Sequence, residues 1–306
     1  MSEDGRVYVD LKTLMLMQHR TNGLSFLPTQ PNSSLLSGRH ASRIRGRGLN
    51  FEEIRPYRAG DDVRTIDWKV TARTRSAHAR VFTEERDRPT LLVVDQRMSM
   101  FFGTKVFMKS VIAAKVAGLV AWRALHQGDR IGAIVFNDSR STFIKPQRSR
   151  DAVTRILSEI VDFNHELNSA VAAVSSSTFG ETIASAARLA RHDFLVVVVS
   201  DFIGLDDACV SSLHKIAGHN DLIGVLVHDP SASNLPDGTQ MVVSDGELQM
   251  ELRPGRRART VRESATDRLE EVLALQTRLQ APIFPLSTES DALPQLHRFL
   301  GHRDEG

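Results

Sequence analysis

The sequence predicts an α/β protein built on a mostly parallel sheet with helices on both faces. From residue 90 onward, apolar segments of strand length alternate with longer segments of helical apolar spacing. The strand segments LLVV, LVVVV and LIGVLV are apolar without interruption, as expected for strands that are covered on both faces. Two of them run into an aspartate, Asp95 and Asp201, at the C-terminal edge where open parallel sheets bind ligands.

The first ninety residues have a different character. Residues 10–20 have the spacing of a short amphipathic helix, and residues 28–38 are rich in Pro, Ser and Asn, which is typical of a linker. We therefore divide the chain into an N-terminal helix and linker at 1–37, a signature segment at 38–88 and a main domain at 89–302. A segment of about fifty residues buries too little surface to be stable alone, so 38–88 is expected to pack on the main domain.

The main domain is expected to alternate strands and helices along its whole length, with right-handed crossovers between parallel strands. The signature segment contributes β-structure, because FEEIRPY and HARVFTEE alternate like two paired strands. The predicted order in the main domain is strand 89–95, helix 105–128, strand 130–136, an antiparallel strand 141–146, helices 150–163 and 181–192, strand 194–201, helix 206–220, strand 221–229, a hairpin over 241–252, helix 261–280, strand 281–287 and helix 291–301.

Composition argues against several classes of protein. The net charge is only +2, and Cys209 is the single cysteine, which excludes an intramolecular disulfide and a cysteine-based zinc site. The longest apolar stretch contains Lys109, Lys115 and Arg123, so it is expected to be a buried helix, with no stable membrane insertion. The polar, acidic N-terminus is unlike a secretory signal. We expect a cytoplasmic protein.

Catalytic and nucleotide-binding motifs are missing from the sequence. It contains no GxxxxGK[ST] phosphate loop, no GxSxG elbow and no HExxH helix, so we expect neither an enzyme nor a cofactor. The basic stretch RHASRIRGRG at 39–48 leaves a nucleic-acid binder open as an alternative. Acidic residues follow that stretch immediately, so we expect no nucleic acid as partner.

Oxygen-bearing side chains converge at the predicted C-terminal edge of the sheet, which we call the rim. Asp95 and Ser99 follow the first strand, Thr182 is expected at the start of a helix, and Asp201 follows a later strand. Such hard oxygen ligands are those that Mg²⁺ prefers. Arg97 lies among them and adds a cation where a metal site needs an oxygen. A purely structural role remains open, because aspartate and threonine commonly cap turns and helices.

These residues resemble a known metal site in kind and order. Asp95, Ser99, Thr182 and Asp201 are similar to the metal-ion-dependent adhesion site of von Willebrand factor A-type domains. The resemblance implies a von Willebrand A-like, Rossmann-like fold. The motif reads Asp-Gln-Arg-Met-Ser here, because Arg97 replaces the first serine of Asp-x-Ser-x-Ser. We therefore expect a degenerate site in which Arg97 balances the two carboxylates in place of a metal, with Mg²⁺ as the alternative.

The segment before the first strand resembles the signature of the DUF58 family. Members pair such a segment with a von Willebrand A-like domain and are often associated with AAA+ ATPases of the MoxR class. The run GDDVRTIDWKVTAR, within residues 46–88, is its most specific part. The matching positions are Phe51, Glu53, Arg55, Tyr57, Gly60, Asp61, Asp62, Arg64, Ile66, Asp67, Trp68, Thr71, Ala72, Arg73, Phe82 and Glu85.

Two roles are open for the signature residues. In the structural role, Asp61 and Asp62 pair with arginines such as Arg55, Arg64 or Arg73, and Trp68 anchors the segment against the sheet domain. In the functional role, the same residues, with Tyr57, Gly60 and Asp67, form a docking face for a partner. An exposed Trp68 would favour the docking face.

The resemblance implies a non-enzymatic protein-interaction module. It would act as an adaptor or partner of a MoxR-type AAA+ ATPase and of other von Willebrand A-domain proteins, in the assembly or maturation of a client complex. The alternative from another class is a metal-dependent hydrolase that uses Asp95 and Asp201. The sequence offers these carboxylates no general base, and Arg97 intrudes between them.

Overall fold

The structure of the chain is a computed structural model. It describes residues 4–21, 23–24, 49–58, 61–84, 88–168, 178–230, 241–244, 249–252 and 269–300. The chain divides into two compact units, unit 1 with residues 1–28 and 88–306 and unit 2 with residues 29–87. The N-terminal helix therefore belongs to the same unit as the sheet domain. The packing of segment 38–88 on that domain stays a prediction.

The described residues of both units form helices and strands, which alternate through most of unit 1. Short 3₁₀ turns lie at Met17–Arg20, Val63–Thr65 and Met98–Met100. The elements are α1 Asp4–Val7, α2 Leu11–Leu16, β1 Leu49–Pro56, α3 Trp68–Thr74, β2 His78–Glu84, β3 Thr90–Asp95, α4 Lys109–His126, β4 Ile131–Phe136, β5 Ser141–Gln147, α5 Arg150–Glu166, α6 Thr178–Leu189, β6 Leu195–Ser200, α7 Asp207–His219, β7 Asp221–His228, β8 Met241–Ser244, β9 Gln249–Leu252, α8 269–279, β10 Ile283–Ser287 and α9 Ala292–Leu300.

Unit 1 is organised around a six-stranded sheet with the order β10-β7-β6-β3-β4-β5. All neighbours pair in parallel except β4 and β5, which are antiparallel. The predicted α/β class with a mostly parallel sheet is confirmed, and so is the antiparallel strand at 141–146. Every residue of β3, β4 and β6 is buried, as their unbroken apolar sequences indicate.

The two faces of the sheet carry separate hydrophobic clusters. Leu92 and Val94 of β3 pack with residues of α2, α4, α5 and α9, whereas Leu91 and Val93 pack with residues of α6, α7 and α8. Successive side chains of a strand point to opposite faces, so an apolar strand supplies both clusters at once. The sheet is therefore covered by helices on both faces.

The N-terminal segment that contains α2 is held against α4 and α5 by hydrogen bonds that its backbone accepts and donates. Trp122 Nε1 donates to the carbonyl of Leu14 at 3.0 Å, and the amide of Val9 donates to Asn164 Oδ1 at 2.9 Å. The amphipathic helix expected at 10–20 is confirmed as α2 followed by a 3₁₀ turn. No helix in the described ranges combines the length and apolar character needed to cross a bilayer.

Two helix starts differ from the prediction. Helix α4 begins at Lys109 and not at 105, because the amides of Phe107 and Met108 donate to the carbonyls of Thr288 and Arg6. Helix α6 begins at Thr178 and not at 181, so Thr182 lies in its second turn. The expectation that Thr182 lies at the start of a helix is therefore wrong.

Unit 2 contains an antiparallel pair, β1 with β2, as expected from the alternation of its sequence. A β-bulge interrupts the register between Phe51 and Glu53. Helix α3 begins after Asp67, whose side chain accepts hydrogen bonds from the amides of Lys69 and Val70, and it ends at Arg75 in the left-handed conformation. In unit 1, β8 and β9 form the predicted hairpin, whose turn at 245–248 lies outside the described residues.

Candidate functional site

The candidate site is assembled where two parallel strands end side by side. Strand β3 pairs with β6, and Asp95 is the last residue of β3, while Asp201 directly follows β6. Both side chains are buried. Ser200 Oγ donates a hydrogen bond to Asp95 Oδ2 at 2.6 Å. The sheet topology therefore brings the two predicted carboxylates to the same point of the rim.

Arg97 forms an ion pair with Asp95 through several short contacts between the guanidinium and the carboxylate. Its Nε lies 3.0 Å from Oδ1 and 3.1 Å from Oδ2, and its Nη2 donates to Oδ2 at 2.7 Å. Its Nη2 also lies 3.6 Å from Asp201 Oδ1. Only 2% of the arginine is exposed. Burial alone would lower the pKa of Arg97, but the hydrogen bonds to Asp95 and the charges of Asp95, Asp201 and Asp138 together raise it above its ordinary value.

A second cation, Lys109, pairs with the other carboxylate. Lys109 is the first residue of α4, and its Nζ donates a hydrogen bond to Asp201 Oδ2 at 2.7 Å. Burial raises the pKa of Asp201, but the charges of Lys109 and Arg97 outweigh burial and hold it below its usual value. Sequence reasoning missed this role of Lys109. No local signal indicated it, because a helix predicted to begin at residue 105 places Lys109 inside its second turn.

A third carboxylate and two aromatic rings complete the surroundings of Arg97. Its Cζ lies 5.0 Å from the centroid of the Phe179 ring and 5.7 Å from that of Phe136. Asp138 Oδ2 accepts a hydrogen bond from the amide of Met98 at 2.6 Å. Burial raises the pKa of Asp138 despite this bond and the nearby Arg97. We define the rim cluster as Asp95, Arg97, Lys109, Asp138 and Asp201.

Ser99 and Thr182 are not joined to the rim cluster. In the described parts of the chain, neither makes a hydrogen bond to Asp95 or Asp201, and Ser99 Oγ is buried without a partner. Thr182 is buried on α6. Among the same residues, no group of three or more His, Cys, Asp or Glu side chains is placed to hold a metal ion. Direct contacts thus join Asp95, Arg97 and Asp201, whereas the two predicted hydroxyls make no hydrogen bond to these carboxylates among the described residues.

The signature residues of unit 2 form local pairs. Arg55 donates from Nη1 and Nη2 to the two carboxylate oxygens of Asp61, each at 2.8 Å, and this contact lowers the pKa of Asp61. Tyr57 Oη donates to the carbonyl of Asp61 at 3.0 Å. Asp62 accepts from the amide of Arg64 at 2.9 Å. The expected pairing of Asp61 with an arginine is present, and its partner is Arg55.

Asp67 supports the other half of unit 2. It caps α3 and accepts a hydrogen bond from Arg80 Nε at 2.8 Å. Arg73 is exposed and has no ion pair within the described residues. Gly60 lies outside them. The carboxylates of this segment therefore serve its local structure.

Trp68 of unit 2 has an exposed side chain. Its side chain is 67% exposed, and that of Val63, on the preceding 3₁₀ turn, is 58% exposed. Exposed basic side chains accompany them in sequence, namely Arg64, Lys69 and Arg73. We call Val63, Arg64, Trp68, Lys69 and Arg73 the signature surface. The exposure of Trp68 is what the docking role predicts. The anchoring of the segment against the sheet domain stays a prediction.

Replacing Trp68 by alanine is expected to change the free energy of unfolding by less than about 1 kcal/mol, because an exposed ring loses little packing. Chemical denaturation of the full chain measures this. A loss of about 3 kcal/mol or more would mean that the ring is buried in solution, because truncating a large aromatic side chain in a core has a cost of that size.

The chain is similar to one described protein family and to proteins of mycobacteria. The family described as "Protein of unknown function DUF58" matches residues 53–271. The chain is 30% identical over 281 residues to the uncharacterized proteins Mb1516 of Mycobacterium bovis and Rv1480 of Mycobacterium tuberculosis, covering 90% of this chain and 86% of each relative.

Two solved structures resemble the chain weakly. BatB from Bacteroides thetaiotaomicron has a TM-score of 0.40 and 12% identity, covering 69% of this chain and 95% of that one. An uncharacterized membrane spanning protein from Vibrio fischeri has a TM-score of 0.24 and 18% identity, covering 69% and 96%. Both scores are low, so the description of the fold rests on this chain's own strands and helices.

Proposed function

Because the chain belongs to the DUF58 family, we propose that it is a non-enzymatic protein-interaction module, an adaptor or partner of a MoxR-type AAA+ ATPase. In this proposal unit 1 is a von Willebrand A-like domain. The protein acts in the cytoplasm, with other von Willebrand A-domain proteins, in the assembly or maturation of a client complex. The signature surface of unit 2 is the docking face for the ATPase.

The exposed Trp68 is the observation that carries the proposal. An indole at the protein surface leaves a large apolar area in water, and tryptophan and arginine are the residues most enriched at the energetic centres of interfaces. Val63 is exposed on the turn that leads into α3, and the exposed Arg64, Lys69 and Arg73 add positive charge that no described residue neutralises. By contrast, Asp61 and Asp67 are paired within unit 2. These two acidic side chains are thus paired inside the segment, while an aromatic and basic surface stays exposed.

The rim cluster supports a non-enzymatic role over hydrolysis. A general acid or base needs a carboxyl group that can reach the substrate and that has a pKa near the working pH. Asp95 and Asp201 are buried and bound to Arg97 and Lys109, and the pKa of Asp201 is lowered. This arrangement keeps Asp201 in its charged form and binds the side chains of both aspartates to cations. Asp138 is the described rim carboxyl whose pKa is raised, by burial, and its Oδ2 is already bound to the amide of Met98.

The nucleic-acid alternative depends on the basic stretch at 39–48, which lies outside the described residues. Within the proposal, nucleic acid is not a partner. Binding driven by phosphate contacts would weaken steeply as salt rises, so a salt titration of any nucleic-acid binding separates the two functions.

Affinity capture tests the proposal. The full chain, tagged and expressed in its own host, is recovered from native lysate with ATP present, and the proteins that co-purify are quantified against an unrelated bait of similar size and charge. An AAA+ ATPase of the MoxR class should be enriched and should bind again when both proteins are purified. Enrichment of no AAA+ protein over the unrelated bait would contradict the proposal.

A further inference from the structure

We propose that the rim cluster excludes divalent cations, because Arg97 and Lys109 serve as two built-in cations that replace the metal between Asp95 and Asp201. The inference is independent of the proposed partner. It concerns the site that the resemblance to von Willebrand A-type domains assigns to Mg²⁺. The residues of this chain do not fit that ion, as the following contacts indicate.

The carboxylate oxygens are already occupied by donors. Asp95 Oδ1 accepts from the amide and Nε of Arg97, and Oδ2 accepts from Arg97 Nη2 and from Ser200 Oγ. Asp201 Oδ1 accepts from the amide of Ile203, and Oδ2 accepts from Lys109. Magnesium requires close, near-octahedral coordination by oxygens. A magnesium ion would have to displace hydrogen-bond donors from each carboxylate that it binds.

Charge opposes a metal as strongly as geometry does. Each of the two carboxylates has its own cation within 2.7 Å, Arg97 for Asp95 and Lys109 for Asp201. A divalent ion placed between the carboxylates would approach both fixed positive charges in a buried site, where such repulsion is weakly screened. Arginine remains protonated at any relevant pH, so this repulsion cannot be relieved by loss of a proton.

Arg97 is also held in place by its surroundings. Its guanidinium lies close to the rings of Phe179 and Phe136, and the side chain is buried. Movement to solvent would empty this space and leave Asp95 unpaired. One contrary observation is the buried hydroxyl of Ser99, which has no hydrogen-bond partner among the described residues and is an oxygen that an ion could use. A single hydroxyl does not offset two fixed cations.

The first test is calorimetric titration of the full chain with MgCl₂ and with MnCl₂ after removal of metal by EDTA. No binding at sub-millimolar concentration is expected, and the melting temperature should be the same in EDTA and in excess Mg²⁺. Saturable binding of either ion at sub-millimolar concentration would overturn the inference.

Variants of Arg97 and Lys109 then test whether these two side chains are what excludes the metal ion. Arg97→Ser restores Asp-x-Ser-x-Ser but leaves Lys109 on Asp201, so it should gain little affinity. The double variant Arg97→Ser with Lys109→Ala should bind Mn²⁺ at least about tenfold more tightly than Arg97→Ser alone, because the charge of Lys109, which Arg97→Ser keeps, is then removed as well. Arg188→Ser, which changes an exposed arginine on α6, is the matched control and should gain nothing.

The double variant remains informative if it is unstable. Two buried carboxylates without cations repel, so added Mn²⁺ should then raise its melting temperature or restore its folded circular dichroism spectrum. A double variant that shows neither tighter binding nor metal-dependent folding would overturn the inference, because the two cations would not be what excludes the metal.

Discussion

Replacing Arg97 by leucine should lower the free energy of unfolding by about 3–5 kcal/mol, the usual effect of removing one partner of a buried ion pair. The substitution leaves Asp95, which is fully buried, with only Ser200 Oγ and a backbone amide as donors. It also removes a charge that acts on Asp201 at 3.6 Å. Leucine fills part of the space beside Phe179, so the loss reports mainly on charge.

Denaturant unfolding of the full chain measures this effect, with Arg188→Ala as the control. Arg188 is exposed on α6 of the same unit, and its replacement should change the free energy of unfolding by less than about 0.5 kcal/mol. If Arg97→Leu were as stable as the control variant, Asp95 would not depend on the guanidinium. The rim cluster would then have another source of charge balance.

Replacing Trp122 by alanine should cost about 3–5 kcal/mol, as large aromatic truncations in cores do. The side chain is 1% exposed within α4, and its Nε1 is the donor to the carbonyl of Leu14. The substitution therefore opens a cavity and also releases a contact that holds α2. We expect the region of α2 to become accessible to protease before the rest of unit 1 unfolds.

Paired measurements on Trp122→Ala and Trp68→Ala compare the only two tryptophans of the chain. One is buried in unit 1 and the other is exposed in unit 2. Equal losses of stability in the two variants would contradict the burial of Trp122. An α2 region that stays protected in Trp122→Ala would show that the Leu14 contact does not hold the N-terminal helix.

Much of the sheet was predictable because its signal is local. The apolar strands β3 and β6 and their terminal aspartates can be read directly from LLVVD and VVVVSD. Parallel pairing then places Asp95 and Asp201 at one edge. A cation close to Asp95 was predictable as well, since Arg97 follows Asp95 by two residues.

The remainder of the site depends on contacts between distant parts of the chain. Lys109 reads as one charge in a long apolar helix, and its partner Asp201 comes from a strand far along the sequence. Asp138 follows β4 in a polar turn, where aspartate is common for local reasons. Its bond to the amide of Met98 exists only because β3 and β4 are neighbours. Such pairs cannot be assigned until the strand order is known.

The exposure of Trp68 was open for a related reason. The hydrophobicity of a tryptophan predicts burial, but Trp68 is the first residue of α3, directly after the cap Asp67, and its side chain is exposed there. The same pattern of residues is compatible with a buried anchor and with an exposed docking residue. Only the three-dimensional arrangement of unit 2 separates these two readings.

The measurement that tests the central claim most directly is calorimetric titration of the purified MoxR-type ATPase with the full chain and its Trp68→Ala variant. The wild-type chain should bind, and Trp68→Ala should bind at least about tenfold more weakly, a difference of about 1.4 kcal/mol. Phe299→Ala, which alters an exposed aromatic residue on α9 of unit 1, should bind like the wild type. Equal affinities of the wild type and Trp68→Ala for the ATPase would contradict docking through the signature surface, and no binding by the wild type would contradict the proposed function itself.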